Sequence, residues 1–168
     1  MGLQNLFQET IKKYNEKNLI NTLKGNLTDP HNIVMDIGHN ECPRGIIAYE
    51  VMWCVDPLYV NTDKYGGILE IFRSGINYIK GNWEDAIDIL MLEEVDTVFL
   101  FDVLGKYKKQ DAKDLLELTT TLAENQVVVV IQVGEWDYKD FLIGGWQIWT
   151  FGERLLAIYT AQKGTGSV

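Results

Sequence analysis

Cysteine is scarce in this sequence, which contains only Cys42 and Cys54. Two cysteines do not provide the disulfide framework of a small secreted domain. Together with the two histidines, His31 and His39, they also do not follow a spacing typical of zinc sites. We therefore expect two reduced thiols and no bound metal, as is usual for a protein of the cytoplasm.

Long apolar runs are absent as well. No stretch approaches the 18 apolar residues that a membrane-spanning helix needs. The first residues include Glu9, Lys12 and Lys13, so they lack the apolar centre of a signal peptide. We expect no membrane span and a cytoplasmic location.

Basic residues are the minority among the charges. Fifteen Lys and Arg stand against 24 Asp and Glu, which gives a formal net charge of −9. Affinity for a phosphate backbone comes from cations that neutralise it. We expect no nucleic-acid partner, although a local basic patch would escape this argument.

What the sequence does contain is a globular composition, with 46% hydrophobic residues in 168. A chain of this length can bury roughly 70% of its unfolded surface. The apolar spacing in residues 3–23 predicts one or two helices that pack on the main domain. The predicted organisation is a helical segment in residues 1–30, one domain in residues 31–163 and a flexible tail in residues 164–168.

The domain alternates between short apolar runs and helical patterns. Five runs, rich in β-branched and aromatic residues, are typical of strands buried on both faces; they lie at 33–38, 51–57, 76–81, 97–102 and 127–131. Helical spacing falls at 64–72, 84–92 and 110–124, and a closing strand is expected at 155–161. This alternation predicts an α/β fold: a Rossmann-like, doubly wound, mostly parallel sheet with helices on both faces.

Acidic residues follow most of these predicted strands. Asp36, Asp56 and Asp102 each lie at a strand end, which is where open parallel sheets bind ligands. Asp56 comes 18 residues after Gly38, close to the spacing of about 20 found for a ribose-binding acid. Asp also closes strands and starts turns in proteins without a ligand, so both interpretations stay open for each residue.

The loop after the first run argues against a dinucleotide. Asn40 and Pro43 occupy two positions where the dinucleotide fingerprint has glycine, and Pro43 lacks a backbone N–H for a phosphate. A nucleoside without phosphate suits this loop better than NAD does.

Four segments together resemble class I S-adenosylmethionine-dependent methyltransferases, and most closely the small methyltransferases of bacterial glycan and polysaccharide gene clusters. The segments are Asp36 to Gly38, Val55 to Pro57, Ile79 to Asp85 and Val95 to Leu104. The resemblance implies S-adenosylmethionine as cofactor and a small-molecule or glycan-linked acceptor.

The resemblance also implies roles for individual residues. Asp36 and Gly38 would line the methionine moiety, and Asp56 would hold the ribose. The adenine would be bordered by three consecutive residues: Asn82, Trp83 and Glu84. Asp102 would lie near the amino-acid portion of the cofactor or near the acceptor. His39 and Asp102 are the candidate catalytic residues.

The acceptor site is the less regular part of the pattern. Lys106 opens a short basic run, which is either an anionic-acceptor site or a solvated face. Trp146 and Trp149 belong to an aromatic cluster that either contacts the acceptor or forms a core or homodimer interface, with Trp146 expected to face a pocket. The methyltransferases that the sequence resembles usually carry a Glu-His pair after the residues that match Asp102 to Leu104, whereas Gly105 and Lys106 stand here.

The C-terminal part is expected to be shortened, because the residues after Trp149 lead directly into the last predicted strand. With the altered first loop, this leaves an alternative open: a catalytically silent, methyltransferase-like scaffold that acts as an interaction module.

Overall fold

A computed structural model describes residues 2–38, 49–55, 76–79, 83–134 and 144–162, with 76–79 and 83–85 described by their backbone only. The helices are α1 (Leu3–Asn26), α2 (Trp83–Leu92) and α3 (Lys109–Leu122), with a 3₁₀ turn at Leu104–Lys106. The strands are β1 (Ile33–Ile37), β2 (Val51–Val55), β3 (Ile76–Ile79), β4 (Thr97–Phe101), β5 (Gln126–Gln132), β6 (Trp146–Phe151) and β7 (Arg154–Thr160). The helix predicted at 64–72 and the tail predicted at 164–168 lie outside the described residues.

The seven strands form one sheet in the order β3-β2-β1-β4-β5-β7-β6. The first five strands in this order run parallel to one another, and β7 is antiparallel to both of its neighbours. Helices cover both faces, since α2 and α3 supply the core on one face and α1 supplies it on the other. The predicted α/β fold with a mostly parallel, doubly wound sheet is therefore confirmed.

The strands in the middle of the sheet are mostly apolar, as burial on both faces favours. All five residues of β4 are buried, and so are the first six of β5. Each strand sends alternate side chains to opposite faces, so β4 contributes Val98 and Leu100 to one core and Phe99 and Phe101 to the other.

The last part of the sheet differs from the sequence analysis. We expected no strand before the closing one, but Trp146–Phe151 forms a strand of its own, β6. It is joined to β7 by Gly152 and Glu153, and Gly152 has the positive φ of 62° that such a tight turn requires. β6 lies at the sheet edge, so only part of its surface is buried.

Helix α1 is one continuous helix of 24 residues. Its second half packs on the sheet through the fully buried Leu19 and Leu23. Its first half does not pack on the sheet, so only part of the predicted helical segment lies against the main domain. The apolar side chains of that half are exposed: Leu3, Leu6, Phe7, Ile11 and Tyr14.

At the amino edge of the sheet, where the parallel strands begin, polar side chains form hydrogen bonds to the segment between α1 and β1. Gln126 donates a hydrogen bond to the Asn26 carbonyl oxygen (3.0 Å) and accepts one from the Thr28 N–H (2.9 Å). Asp96 accepts hydrogen bonds from the N–H groups of Asn32 and Ile33, both at 3.0 Å. These contacts fix the connection between α1 and β1.

Among the described helices, none is long and apolar enough to cross a membrane.

Candidate functional site

The site is organised by the close approach of β1 and β4 at their carboxyl ends. Gly38, directly after β1, has a φ of +88°, a conformation that L side chains rarely adopt. A Cβ atom at this position would lie 2.6 Å from Cγ2 of Val103, which follows β4. The backbone therefore passes Val103 at a distance that only glycine permits. Gly38, which we expected to line the ligand, lies at the edge where parallel sheets bind ligands.

Asp36 lies in β1, two residues before Gly38, and is fully buried. It pairs in register with Cys54 on β2 and Phe99 on β4, which belong to the core on the α1 side. Because none of its surface is exposed, a bound molecule would not touch Asp36 directly in this conformation.

Asp102 directly follows β4 in an unusual conformation, with a φ of +53° in a residue that is not glycine. Its N–H donates to the Val130 carbonyl oxygen at 2.8 Å, which ties the turn to β5. Its Oδ2 lies 2.9 Å from Nη1 of Arg154, and the two side chains are only 20% and 14% exposed. Left-handed conformations outside glycine are retained where surrounding contacts hold them, as these do.

Arg154 was not among the residues chosen from the sequence. It is the first residue of β7 and pairs in register with Gln132, the last residue of β5, so it lies at the carboxyl edge. Its Nη2 lies 3.5 Å from Oε1 of Glu16 on α1. Arg154 therefore connects the turn after β4 to α1. It lies 52 residues after Asp102 and 138 residues after Glu16 in the sequence.

The ends of β2 and β3 lie at the same edge. The Gly38 N–H donates to the carbonyl oxygen of Val55, the residue before Asp56, at 2.7 Å. β3 ends at Ile79 and α2 begins at Trp83, the second residue of the expected adenine border. His39, Asp56 and Asn82 lie outside the described residues, and for Trp83 and Glu84 only the backbone is described.

The three expected acceptor residues are not brought together. Lys106 is exposed in the 3₁₀ turn four residues after Asp102, at the carboxyl edge. Trp149 is half-buried against the α1-side core, level with Phe101 but three strands away from β4, or roughly 14 Å.

Trp146 lies at the opposite edge of the sheet. It begins β6 and pairs with Tyr159, which pairs with Val127 near the start of β5. Its ring packs against Tyr159 with 5.6 Å between ring centres. The register thus separates Trp146 from Gly38 and Asp102, contrary to the expectation that it faces the ligand pocket.

No model of a protein family matches the sequence, and no curated protein matches it. Solved structures do match. The N-methyltransferase NodS from Bradyrhizobium japonicum WM9, in complex with S-adenosyl-L-homocysteine, superposes with a TM-score of 0.63 at 11% identity, over 90% of this chain and 87% of that one. An rRNA methylase from Escherichia coli gives 0.62 at 17% identity, over 88% and 64%.

An O-methyltransferase family protein from Burkholderia thailandensis gives a TM-score of 0.58 at 12% identity, over 95% of this chain. This chain spans only 57% of the Burkholderia protein. Because an rRNA methylase is among the matches, the fold does not support the expectation that nucleic acid is excluded as a partner. At these identities the likeness concerns architecture, and the protein has the Rossmann-like fold of S-adenosylmethionine-dependent methyltransferases.

Proposed function

We propose that this protein transfers a methyl group from S-adenosylmethionine to a small-molecule or glycan-linked acceptor. The observation that carries the proposal is the turn at Gly38, where a positive φ and the contact with Val103 leave no room for a side chain. Gly38 directly follows β1, at the carboxyl edge where open parallel sheets bind ligands. Two structures with the same fold support the choice of ligand, since NodS holds S-adenosyl-L-homocysteine and the Synechocystis magnesium protoporphyrin IX methyltransferase holds SAM.

In this proposal the cofactor extends along the carboxyl edge from β1 toward β3. The methionine portion lies at Gly38, and the ribose hydroxyls are held by Asp56, which follows β2. Two ribose hydroxyls donate to one carboxylate better than to a neutral acceptor. The adenine lies at the start of α2, beside Asn82, Trp83 and Glu84. The order of the strands supports this path, because β1, β2 and β3 are consecutive neighbours in the sheet.

S-adenosylmethionine supplies an activated methyl group on a positively charged sulfur, so the protein chiefly has to align donor and acceptor. Asp102 acts as a positioning residue in this proposal, because Oδ2 of its carboxylate is held by Arg154 at 2.9 Å. When the acceptor is a hydroxyl, a base must take its proton, and His39, directly after Gly38, is the proposed group.

The acceptor is proposed to approach beside Lys106, the exposed cation at the carboxyl edge. Trp146 is not a proposed acceptor residue, since the register places it at the opposite edge of the sheet. The alternative of a silent scaffold rested partly on a shortened C-terminal region. Strand β6 removes part of that argument, because the sheet has a strand before β7.

The test compares two variants that make the same chemical change. Asp56→Ala should weaken S-adenosylmethionine binding by well over tenfold, where each tenfold corresponds to about 1.4 kcal/mol. Asp88→Ala removes an exposed carboxylate from α2 and should leave the affinity unchanged. Calorimetric titration of both folded variants measures the effect. Equal affinity of the two would reject the ribose role of Asp56, and methylation of RNA but of no glycan or metabolite would reject the proposed acceptor class.

A further inference from the structure

The first half of α1 carries an apolar surface that the protein leaves exposed. Five side chains form it, and we call them the α1 stripe; their exposed fractions are 86% for Leu3, 50% for Leu6, 66% for Phe7, 45% for Ile11 and 65% for Tyr14. Each lies three or four residues from at least one other member of the stripe, so they share one side of the helix.

The α1 stripe faces away from the rest of the protein. The buried contacts of α1 are made by Leu19 and Leu23, which at 3.6 residues per turn lie on roughly the opposite side of the helix. The helix crosses the sheet from Asn26, held by Gln126 at the amino edge, to Glu16, held by Arg154 at the carboxyl edge. Residues 3–14 therefore extend about 18 Å beyond that edge.

We infer that the α1 stripe binds the α1 stripe of a second copy of this chain, with the two helices antiparallel. The spacing of the stripe supports this occupant. Positions 3, 6, 7, 11 and 14, together with Thr10, keep the same pattern when the helix is reversed about the midpoint between Gln8 and Glu9. A two-fold axis at that midpoint places Leu3 opposite Tyr14 of the other copy and Leu6 opposite Ile11. Such a self-complementary surface is what a two-fold interface requires.

The area is sufficient for association of moderate strength. Side chains of this size at these exposures present on the order of 100 Å² each, so the stripe offers about 500 Å². Two stripes together bury about 1,000 Å², which is the lower limit for a specific interface. We therefore expect a dimer with a dissociation constant in the micromolar range.

Charge favours a second copy over an anionic lipid surface. Helix α1 carries four lysines and two glutamates, whereas the whole chain has a net charge of −9, so the acidic charge lies outside α1. In the antiparallel pair the two acidic domains lie at opposite ends of the helices, about 18 Å apart along the axis, beyond the screening length of about 8 Å at physiological salt. A helix lying flat on an anionic membrane would hold the acidic domain beside that surface.

Sedimentation equilibrium of the full chain from about 1 μM to 1 mM tests the inference. The wild-type protein should dimerise, and Phe7→Glu and Ile11→Glu should each weaken dimerisation at least tenfold. Asn5→Glu places the same charge on the opposite side of the same helix segment and should dimerise like the wild type. Circular dichroism of the variants verifies that α1 still folds. A wild type that stays monomeric throughout, or a dimer that Phe7→Glu does not weaken, would overturn the inference.

Cross-linking tests the orientation of the pair. Leu3→Cys and Tyr14→Cys proteins, mixed and oxidised, should form a disulfide-linked dimer, whereas each protein alone should not exceed the wild type with its native cysteines. Efficient linkage of Leu3→Cys to itself would contradict the antiparallel arrangement. Sedimentation with phosphatidylserine-containing and with phosphatidylcholine vesicles tests whether the α1 stripe binds a lipid surface instead. Binding to vesicles without self-association would also overturn the inference.

Discussion

Replacement of Gly38 by alanine probes the closest approach in the candidate site. The added Cβ would lie 2.6 Å from Cγ2 and 3.0 Å from Cβ of Val103, and the backbone would keep a φ of +88°. Two separate costs result. An unfavourable backbone conformation costs about 1–3 kcal/mol, and overpacking of a core contact costs typically about 1–3 kcal/mol. We expect Gly38→Ala to lower the free energy of unfolding by about 2–6 kcal/mol.

Two other glycines separate these costs. Gly134 has a φ of +99°, but a Cβ there would meet nothing within 4 Å, so Gly134→Ala carries the backbone cost alone. Gly25 lies within α1 and has no atom within 4 Å and no positive φ, so Gly25→Ala should stabilise the protein by up to about 1 kcal/mol. Urea denaturation of the three variants measures the free energies of unfolding.

A double variant tests the contact between Gly38 and Val103. Val103→Ala removes the Cγ2 atom at 2.6 Å but keeps the Cβ atom at 3.0 Å. In the Gly38→Ala/Val103→Ala double variant the steric part of the cost should fall by 1 kcal/mol or more relative to the sum of the single changes, at about the scale seen for residues in contact. Additive costs, or a Gly38→Ala protein as stable as Gly134→Ala, would refute the close approach.

Other predictions follow from single contacts. Arg154→Met leaves the carboxylate of Asp102 without its partner at 2.9 Å and should destabilise the protein by about 1–3 kcal/mol in urea denaturation. A smaller loss in Arg154→Lys than in Arg154→Met is expected, and an unchanged stability of Arg154→Met would contradict the contact. Asp96→Ala removes the acceptor for two backbone N–H groups and should lower Tm by about 3–6 °C. Asp96→Asn keeps an acceptor oxygen and should recover most of that loss in a thermal scan; equal Tm values for Asp96→Ala and the wild type would refute the role.

The parallel part of the sheet was predictable because burial on both faces leaves a direct trace in sequence. Such strands are apolar at consecutive positions, as Val127 to Ile131 are, and helices with a 3.6-residue period separate them. The residues at the carboxyl edge were predictable from the same pattern. In a parallel sheet every strand end points to one edge, so Gly38 and Asp102 could be assigned to it before their contacts were known.

The antiparallel hairpin was not predictable in the same way. β6 mixes half-buried and exposed positions, and its Trp146, Trp149 and Phe151 belong to the aromatic cluster that was expected either to contact the acceptor or to be buried in the core or a dimer interface. Without the pairing direction, Trp146 and Trp149 could not be assigned to opposite ends of the strand. The antiparallel register with β7 decides it, and that register depends on long-range contacts.

Two features of α1 and β7 also escaped prediction for a physical reason. The apolar spacing in residues 3–14 predicts a helix with an apolar side, which the structure has, but the spacing does not say whether that side packs within the chain. The ion pair of Asp102 and Arg154 joins residues that are close only because β5 and β7 are neighbours. The local sequence around Arg154 has no signal for it.

Calorimetric titration with S-adenosylmethionine and S-adenosyl-L-homocysteine, with NAD as control, tests the central claim most directly. The account predicts micromolar binding of both sulfur nucleosides at the carboxyl edge beside Gly38 and no binding of NAD. A folded sample that binds neither nucleoside would contradict the claim.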